Sequence, residues 1–262
     1  MANMDIAASG MQGFSKMIEV LSNNIANSQT IGYKEQRVEF QDLLYINQKR
    51  VGMISSDAGN SIPTGIQVGL GVNMGAIYRI HTQGDLQETG NDTDMAIRGK
   101  GYFRIELPNG EFGYTRAGAF SINENGEIVT SNGHIVSPGI IAPDDALEIN
   151  INDTGQVFVT LRNDPNPQLL GQFQLYRFIN DKGLQAYGEN LFLETQASGQ
   201  PIVGFPGEAN FGTIKQKWLE FSNVNVVTQI TSLIRAQRGY EFCSNFIQAI
   251  SEMLKTANQI KA

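Results

Sequence analysis

Leu233 to Ala257 reads LIRAQRGYEFCSNFIQAISEMLKTA, and its spacing decides the architecture. Leu233, Ala236, Tyr240, Cys243, Ile247, Ile250, Leu254 and Ala257 recur at alternating steps of three and four. That is the period of a helix with one apolar seam. Phe242, Phe246, Ala249, Met253 and Ile260 run beside it as a second line. One helix thus carries two adjoining stripes, and burying both takes more than one neighbour. Ser222 or Asn225 can cap its start, because a short polar side chain satisfies the free amides there. At the other end of the chain Ala7, Met11, Phe14, Ile18, Leu21 and Ile25 repeat the seam. No proline interrupts them, and Asn27-Ser-Gln-Thr-Ile-Gly32 ends the pattern in a turn. A helix of about 25 residues there is about 37 Å long. Its polar face holds only Asp5, Lys16 and Glu19, too few charges for a free solvated helix. On pattern alone, pairing of the two terminal helices within one chain is the preferred way to cover the seams.

The middle, from about Val68 to Gln216, has no helical period. Asn109-Gly110, Asn125-Gly126 and Asn132-Gly133 are hairpin dipeptides, since both residues tolerate positive φ. Asp181-Lys-Gly183 marks another turn. Strands are expected at Gly101–Leu107, Gly113–Arg116, Ala119–Ile122, Glu127–Thr130, Gln156–Leu161 and Gln172–Phe178. This spacing fits an antiparallel sandwich or barrel. Two Gly-rich loops, Gln48–Gly75 and Glu194–Gly212, join it to the ends, and loops of that length are usually functional or mobile. The fold class is α+β. A discontinuous helical coiled-coil domain is built from 1–32 with 222–262. An extended connecting segment covers 33–75, and a central antiparallel β domain covers 76–216, with 194–221 as the returning linker.

The 262 residues hold 19 Lys+Arg against 26 Asp+Glu, a net charge of −7. Such a balance disfavours nucleic acid or an anionic membrane face as the main partner, because little neutralises phosphate. One cysteine, Cys243, excludes an intramolecular disulfide, and two histidines leave little for a metal centre. No run of apolar residues is long enough to span a membrane. The first ten residues lack the marks of a cleaved signal. Composition alone points to the cytoplasm.

Asp153-Thr-Gly155 matches the tripeptide of aspartic proteases, but its neighbours Asn152 and Gln156 are polar and no second copy exists. An Asp-Gly turn is the preferred reading, with a hydrolase using Asp153 as the alternative of a different class. Asp92 and Asp94 lack the rest of a calcium loop and read as a solvated turn. Gly69-Leu-Gly71 fails as a dinucleotide fingerprint, because Met74 stands at the third glycine. His81 and His134 have no obvious partner and read as surface or satisfied core histidines. Cys243 on the seam reads as a small buried hydrophobe. Lys34, Arg37, Lys49 and Arg50 read as a scattered, solvated basic set. No catalytic residue, cofactor or metal is expected.

Leu21-Ser-Asn-Asn-Ile-Ala-Asn27 followed by Thr30-Ile-Gly-Tyr-Lys34 resembles the N-terminal signature of the flagellar axial proteins, the rod and hook family. Ser222-Asn-Val-Asn225, leading into Leu233-Ile-Arg-Ala-Gln-Arg238 and Tyr240-Glu241, resembles the C-terminal signature. The matching positions are Asn23, Asn24, Ala26, Asn27, Gly32, Tyr33, Ser222, Asn223, Asn225, Gln237 and Arg238. Between the ends, Ala96-Ile-Arg-Gly-Lys-Gly-Tyr-Phe103, Leu107-Pro-Asn-Gly110, Tyr114-Thr-Arg116 with Gly118-Ala-Phe120, and Gly188-Glu-Asn-Leu-Phe192 look like the distal rod branch. Proximal rod and hook-type paralogues are the competing branches. The chain departs from the family at Gly239, where Ala is usual, and at Phe242 and Cys243, where small or polar residues are usual. Lys217 stands where Gly is frequent.

The resemblance implies a structural subunit of the distal rod that self-assembles into a helical tube and transmits torque from motor to hook. Its expected assembly interface is Met11, Phe14, Ile18, Leu21, Ile25, Leu233, Tyr240, Phe242, Phe246, Ile247, Ile250, Met253 and Leu254. Implied partners are further copies of the chain, proximal rod proteins, the hook protein, the surrounding rings and the flagellar type III export apparatus. The implied location is the periplasm-spanning basal body, reached without a cleaved signal, in place of the cytoplasm. The Gln48–Gly75 segment is expected to brace neighbouring subunits.

Overall fold

A computed structural model describes residues 2–49, 65–143, 145–162 and 164–261. The chain divides into two compact units. The first gathers three separated stretches, Met1–Ile25, Gln36–Tyr78 and Asn225–Ala262. It holds two helices, α1 (Ala2–Ala26) and α2 (Val226–Lys261). The expected seam of α1 faces inward: Ala7 and Leu21 are buried, Met11, Phe14, Ile18 and Ile25 half-buried. Asn225 caps α2, its Oδ1 accepting the Thr228 amide at 3.1 Å. Ser222, the other candidate cap, instead accepts the Val224 amide at 3.3 Å.

The helices run antiparallel. Asn24 meets Gln229 through a side-chain hydrogen bond, Phe14 lies over Gly239, and Gly10 lies beside Cys243. Each step back along α1 is matched by an equal step forward along α2. The register is therefore held without a slip from Asn24 to Gly10.

The segment read as an extended connector contains paired strands where it is described. These are β1 (Gln36–Asp42), β2 (Tyr45–Lys49), β3 (Ile66–Gly69) and β4 (Val72–Arg79). β1 pairs with β4, and β2 is antiparallel to β3 with Tyr45 opposite Gly69 and Ile46 opposite Val68. The Leu43 amide to Gly71 O and the Leu70 amide to Leu44 O carry the ladder across the junction. Residues 50–64, the middle of the expected brace and the site of Arg50, lie outside the described residues. The ribbon packs on α1: a Cβ at Gly13 would sit 3.1 Å from the Phe40 ring. Ser9 Oγ accepts the Val72 amide while donating to Ile6 O. Thus α1 is covered by α2 on one side and by the ribbon on another.

The second unit comprises Ala26–Glu35 and Arg79–Val224 and is β-rich. Its largest sheet has four strands, in the order Gln185–Gly188, Leu191–Leu193, Phe112–Thr115, Phe103–Glu106. A three-stranded sheet joins Ala146–Ile151, Gln156–Leu161 and Asp164–Gln172. The expected turns form where the Asn-Gly pairs lie. Gly110 and Gly126 have φ of 81° and 78° and close the hairpins 103–115 and 120–130. The expected returning linker is part of this fold: Thr213–Gln216 pairs with Met95–Arg98, and Trp218–Glu220 with Leu86–Glu88. One core collects the inward faces of these strands around Ile97, Ile105, Phe173, Leu175 and Ile214. A second, aromatic core gathers Tyr102, Tyr114, Tyr176, Phe178 and Phe192, with Tyr102 edge-on to Phe178 and Phe192, Tyr114 edge-on to Phe178 and Tyr176 tilted against Tyr114.

Lys217 explains its own oddity. It joins two strands with φ of 65°, in the left-handed region that costs a side-chain-bearing residue and suits glycine. Its amide donates to Asp94 O, its carbonyl accepts from Thr89, and its ammonium pairs with Asp92 at 2.8 Å. Lys217→Gly is expected to hold or raise the melting temperature. Lys217→Ala, which keeps the left-handed backbone and removes the ion pair, is expected to lower it; thermal denaturation followed by circular dichroism separates the two.

Candidate assembly interface

Along α2 the two sequence stripes meet different fates. Of the first stripe, Leu233, Cys243 and Ile247 are half-buried and Ala236 and Ile250 buried inside the first unit, while Tyr240, Leu254 and Ala257 stay exposed. Phe242, Phe246 and Met253 are 75%, 47% and 62% exposed, with Tyr240 and Leu254 exposed at the edge. Upstream, Val227, Ile230 and Ile234 are also exposed, a patch that the sequence reading missed although its steps of three and four carry the signal. Scattered apolar residues on a surface are ordinary, but an extended apolar strip along one helix marks an interaction surface.

The signature residues do a different job, which is to satisfy backbone groups where the chain leaves regular structure. Asn24 is fully buried, and its amide pairs both ways with Gln36, accepting from N–H at 2.9 Å and donating to the carbonyl at 2.8 Å. Its Nδ2 also donates to Gln229, a buried glutamine that the sequence did not single out. Asn223 repeats the device, accepting the Glu35 amide and donating to Ile80 O and Thr82 Oγ1. Asn27 accepts from Thr30 through side chain and carbonyl alike. Gly32, at φ 71°, gives its amide to Glu220 O, and any Cβ there would press on the backbone of Arg116 and Ala117. Tyr33 is buried, which raises its phenol pKa. Asn23, Ala26, Gln237 and Arg238 are exposed.

Lys34 overturns the reading of a solvated basic set. Its side chain and that of Glu220 are 0% exposed, Arg116 only 5%, and both cations pair with the one carboxylate. Lys34 also donates to Thr82 O, Arg116 to Ile97 O and Gly99 O, and the Gly84 amide to Glu220 Oε1. Burial pulls the Lys34 pKa down, and Glu220 opposes that pull. The partner of Lys34 lies 186 positions away, so no local pattern announces the pair.

His81 is half-buried in the same unit, its Nδ1 2.9 Å from the Tyr102 hydroxyl and its ring edge-on to Phe192. Burial, then the Lys34, Arg79 and Arg116 charges, push its pKa down to about 4. Asp153 sits in an exposed turn whose amides are collected by Asn152 Oδ1. Asp94, read as solvated, is buried and accepts from Thr89 and Asn91. Among the described residues no three His, Cys, Asp or Glu side chains gather as a metal site would need, and no helix is long and apolar enough to cross a membrane.

Glu220→Gln leaves two buried cations without a counter-charge. It is expected to destabilise the fold by about 3–5 kcal/mol, read by urea denaturation. His81 sets a pH dependence of definite sign. Between its ordinary pKa of 6.5 and its folded value of about 4, the unfolded chain takes up a proton that the folded one refuses. Stability is therefore expected to fall as pH drops through that window, and His81→Phe to flatten the fall, checked by denaturation at about pH 7 and about pH 5.

Three family models match the chain. These are the flagella basal body rod protein model at residues 4–34, the flagellar hook protein FlgE/F/G D1 domain at 96–159, and the flagellar basal body rod FlgEFG protein C-terminal model at 215–260. The chain is 51% identical to a flagellar basal-body rod protein FlgG of Caulobacter vibrioides over 98% of both chains. It is 46% identical to the FlgG of Agrobacterium fabrum over 97% of both. A solved hook protein, FlgE2 of Helicobacter pylori, aligns over 71% of this chain and 43% of its own at 16% identity, with a TM-score of 0.26 that carries no structural argument. With relatives of this identity along nearly its whole length, the chain belongs to the flagellar basal-body rod family and stands with its FlgG members.

Proposed function

We propose that the chain builds the wall of the distal rod as a helical homopolymer, with the terminal helices as its inner tube. Membership of the family makes it a structural rod subunit of the flagellar basal body and not an enzyme. The observation that carries the finer reading is the apolar strip Phe242, Phe246 and Met253 on α2, left exposed after the inner seam is filled. In the proposed assembly that strip meets helices of neighbouring copies as a coiled coil. Such contacts join different surfaces of the same chain, which is how an open helical polymer propagates. Residues 1–32 with 222–262 form the tube, 76–216 the outer layer, and 33–75 the brace between subunits. A stiff wall of this kind transmits torque, and its ends meet proximal rod and hook proteins, its flank the surrounding rings. Delivery runs through the type III export apparatus without a cleaved signal, to a basal body that spans the periplasm.

A self-contained binding module, with its helices paired inside one chain, is the competing reading, favoured by the internal register of α1 on α2. Assembly tests decide between them. Phe242→Asp with Phe246→Asp is expected to leave the monomer's melting temperature within a few degrees and to abolish sedimentable assemblies. Undiminished assembly of that variant would remove the strip from the interface. Ile250→Asp is expected to damage the helix pair itself, because Ile250 is buried within the chain and an unpaired charge there is costly.

A further inference from the structure

Gly239 stands in the middle of α2, where glycine weakens a helix relative to alanine. Nothing in the backbone requires it there, since it is not among the glycines with positive φ. The reason lies across the helix interface. A Cβ built on Gly239 would stand 2.6 Å from Phe14 Cζ, 2.7 Å from Cε1 and 3.0 Å from Cε2. The missing side chain is a hole, and the tip of the Phe14 ring fills it.

We propose that Phe14 and Gly239 are a keyed contact that fixes the register of α1 on α2, and so selects which face of α2 is offered to a neighbouring copy. The second half rests on the assembly reading above; the first does not. The argument is geometric. Ten residues separate Asn24 from Phe14, and ten separate Gln229 from Gly239. Four separate Phe14 from Gly10, and four separate Gly239 from Cys243. A slip of α2 by one residue turns it by about 100° and shifts it about 1.5 Å. Such a turn would carry Phe242 and Phe246 off their outward positions. At the remaining seam positions the slip is weakly opposed, because half-buried aliphatic residues such as Ile18, Leu233 and Ile247 are interchangeable in kind. A ring in a glycine hole is not: one residue further along α2 the ring meets Arg238 or Tyr240.

The natural Cys243 gives a direct ruler. A Cβ at Gly10 would lie 3.4 Å from Cys243 Sγ, so a Gly10→Cys chain places two thiols within bonding reach. Oxidation of the unassembled Gly10→Cys chain with copper–phenanthroline is expected to close this bond nearly quantitatively, seen as a gel shift reversed by thiol reductant. Adding Gly239→Ala is expected to cut the closure several-fold and to lower the melting temperature. Adding Phe14→Leu to that background, which removes the ring tip, is expected to restore both. Helix propensity alone predicts the opposite sign for Gly239→Ala, a higher melting temperature with full closure. That result overturns the key, as does failure of the Gly10→Cys chain to close. Sedimentation of the Gly239→Ala chain carrying the natural Gly10 separates the two halves. Lost closure with lost assembly supports both halves. Lost closure with intact assembly keeps the register key and overturns the selection of an assembly face.

Discussion

Glu220 has no water to lean on. Its carboxylate is closed in on every side, and the β-rich unit is arranged so that each of its oxygens meets a donor: Lys34 and the Gly84 amide at Oε1, Arg116 at Oε2. A buried carboxylate is tolerated only when paired and hydrogen-bonded, and removing either condition costs several kcal/mol. Meeting those conditions draws together four separated stretches of chain, those around Lys34, Gly84, Arg116 and Glu220. The signature glycine follows from the same demand, since Gly32 must bring its amide to the Glu220 carbonyl against the Arg116–Ala117 backbone. Asn223 then fixes the next backbone groups, Glu35 and Ile80, beside it. Of the family fingerprint, Gly32 and Asn223 answer to this enclosed charge and its flanking backbone, while Asn24, Asn27 and Asn225 satisfy backbone groups elsewhere.

The helical unit obeys a different constraint, a surplus of apolar surface. α1 spends its own on α2 and on the ribbon, and half-buried positions run along both flanks of that helix. α2 has one stripe more than its partner can cover. The polar devices of the β-rich unit close one enclosed charge, whereas the helical unit leaves a strip of α2 on its surface.

What could be read in advance follows the range of the forces. Both helices were legible, because a seam at steps of three and four is a local pattern. So were the hairpins at Gly110 and Gly126, since a positive φ is a property of the residue that adopts it. The strands β1 to β4 were not. Residues 41–48 are exposed on both faces, so burial imposes no alternation on them. Asp164–Gln172 was missed for a related reason: Pro165 and Pro167 argue against a strand, yet the segment is an edge of its sheet, where proline is tolerated. Lys34 read as one more surface cation because its partner is remote in sequence, and Gln229 read as ordinary helix polarity. The exposed strip of α2 was legible as a second stripe, but only the structure separates its residues from Ile250 and Ala236, which are spent internally.

The three stretches of the helical unit also fix an order of events. Asn24 and Gln229 lie 205 positions apart, so α1 is made long before α2 exists. A chain synthesised from its N-terminal side carries Met11, Phe14 and Ile18 through most of its production without the helix that covers one side of α1. For that interval α1, a segment of 25 residues, has only the ribbon to pack on, and a helix in water draws little stability from itself. The face of α1 that α2 covers is thus displayed long before it is covered. That exposed face of α1 is a place where a wrong association has a long time to form.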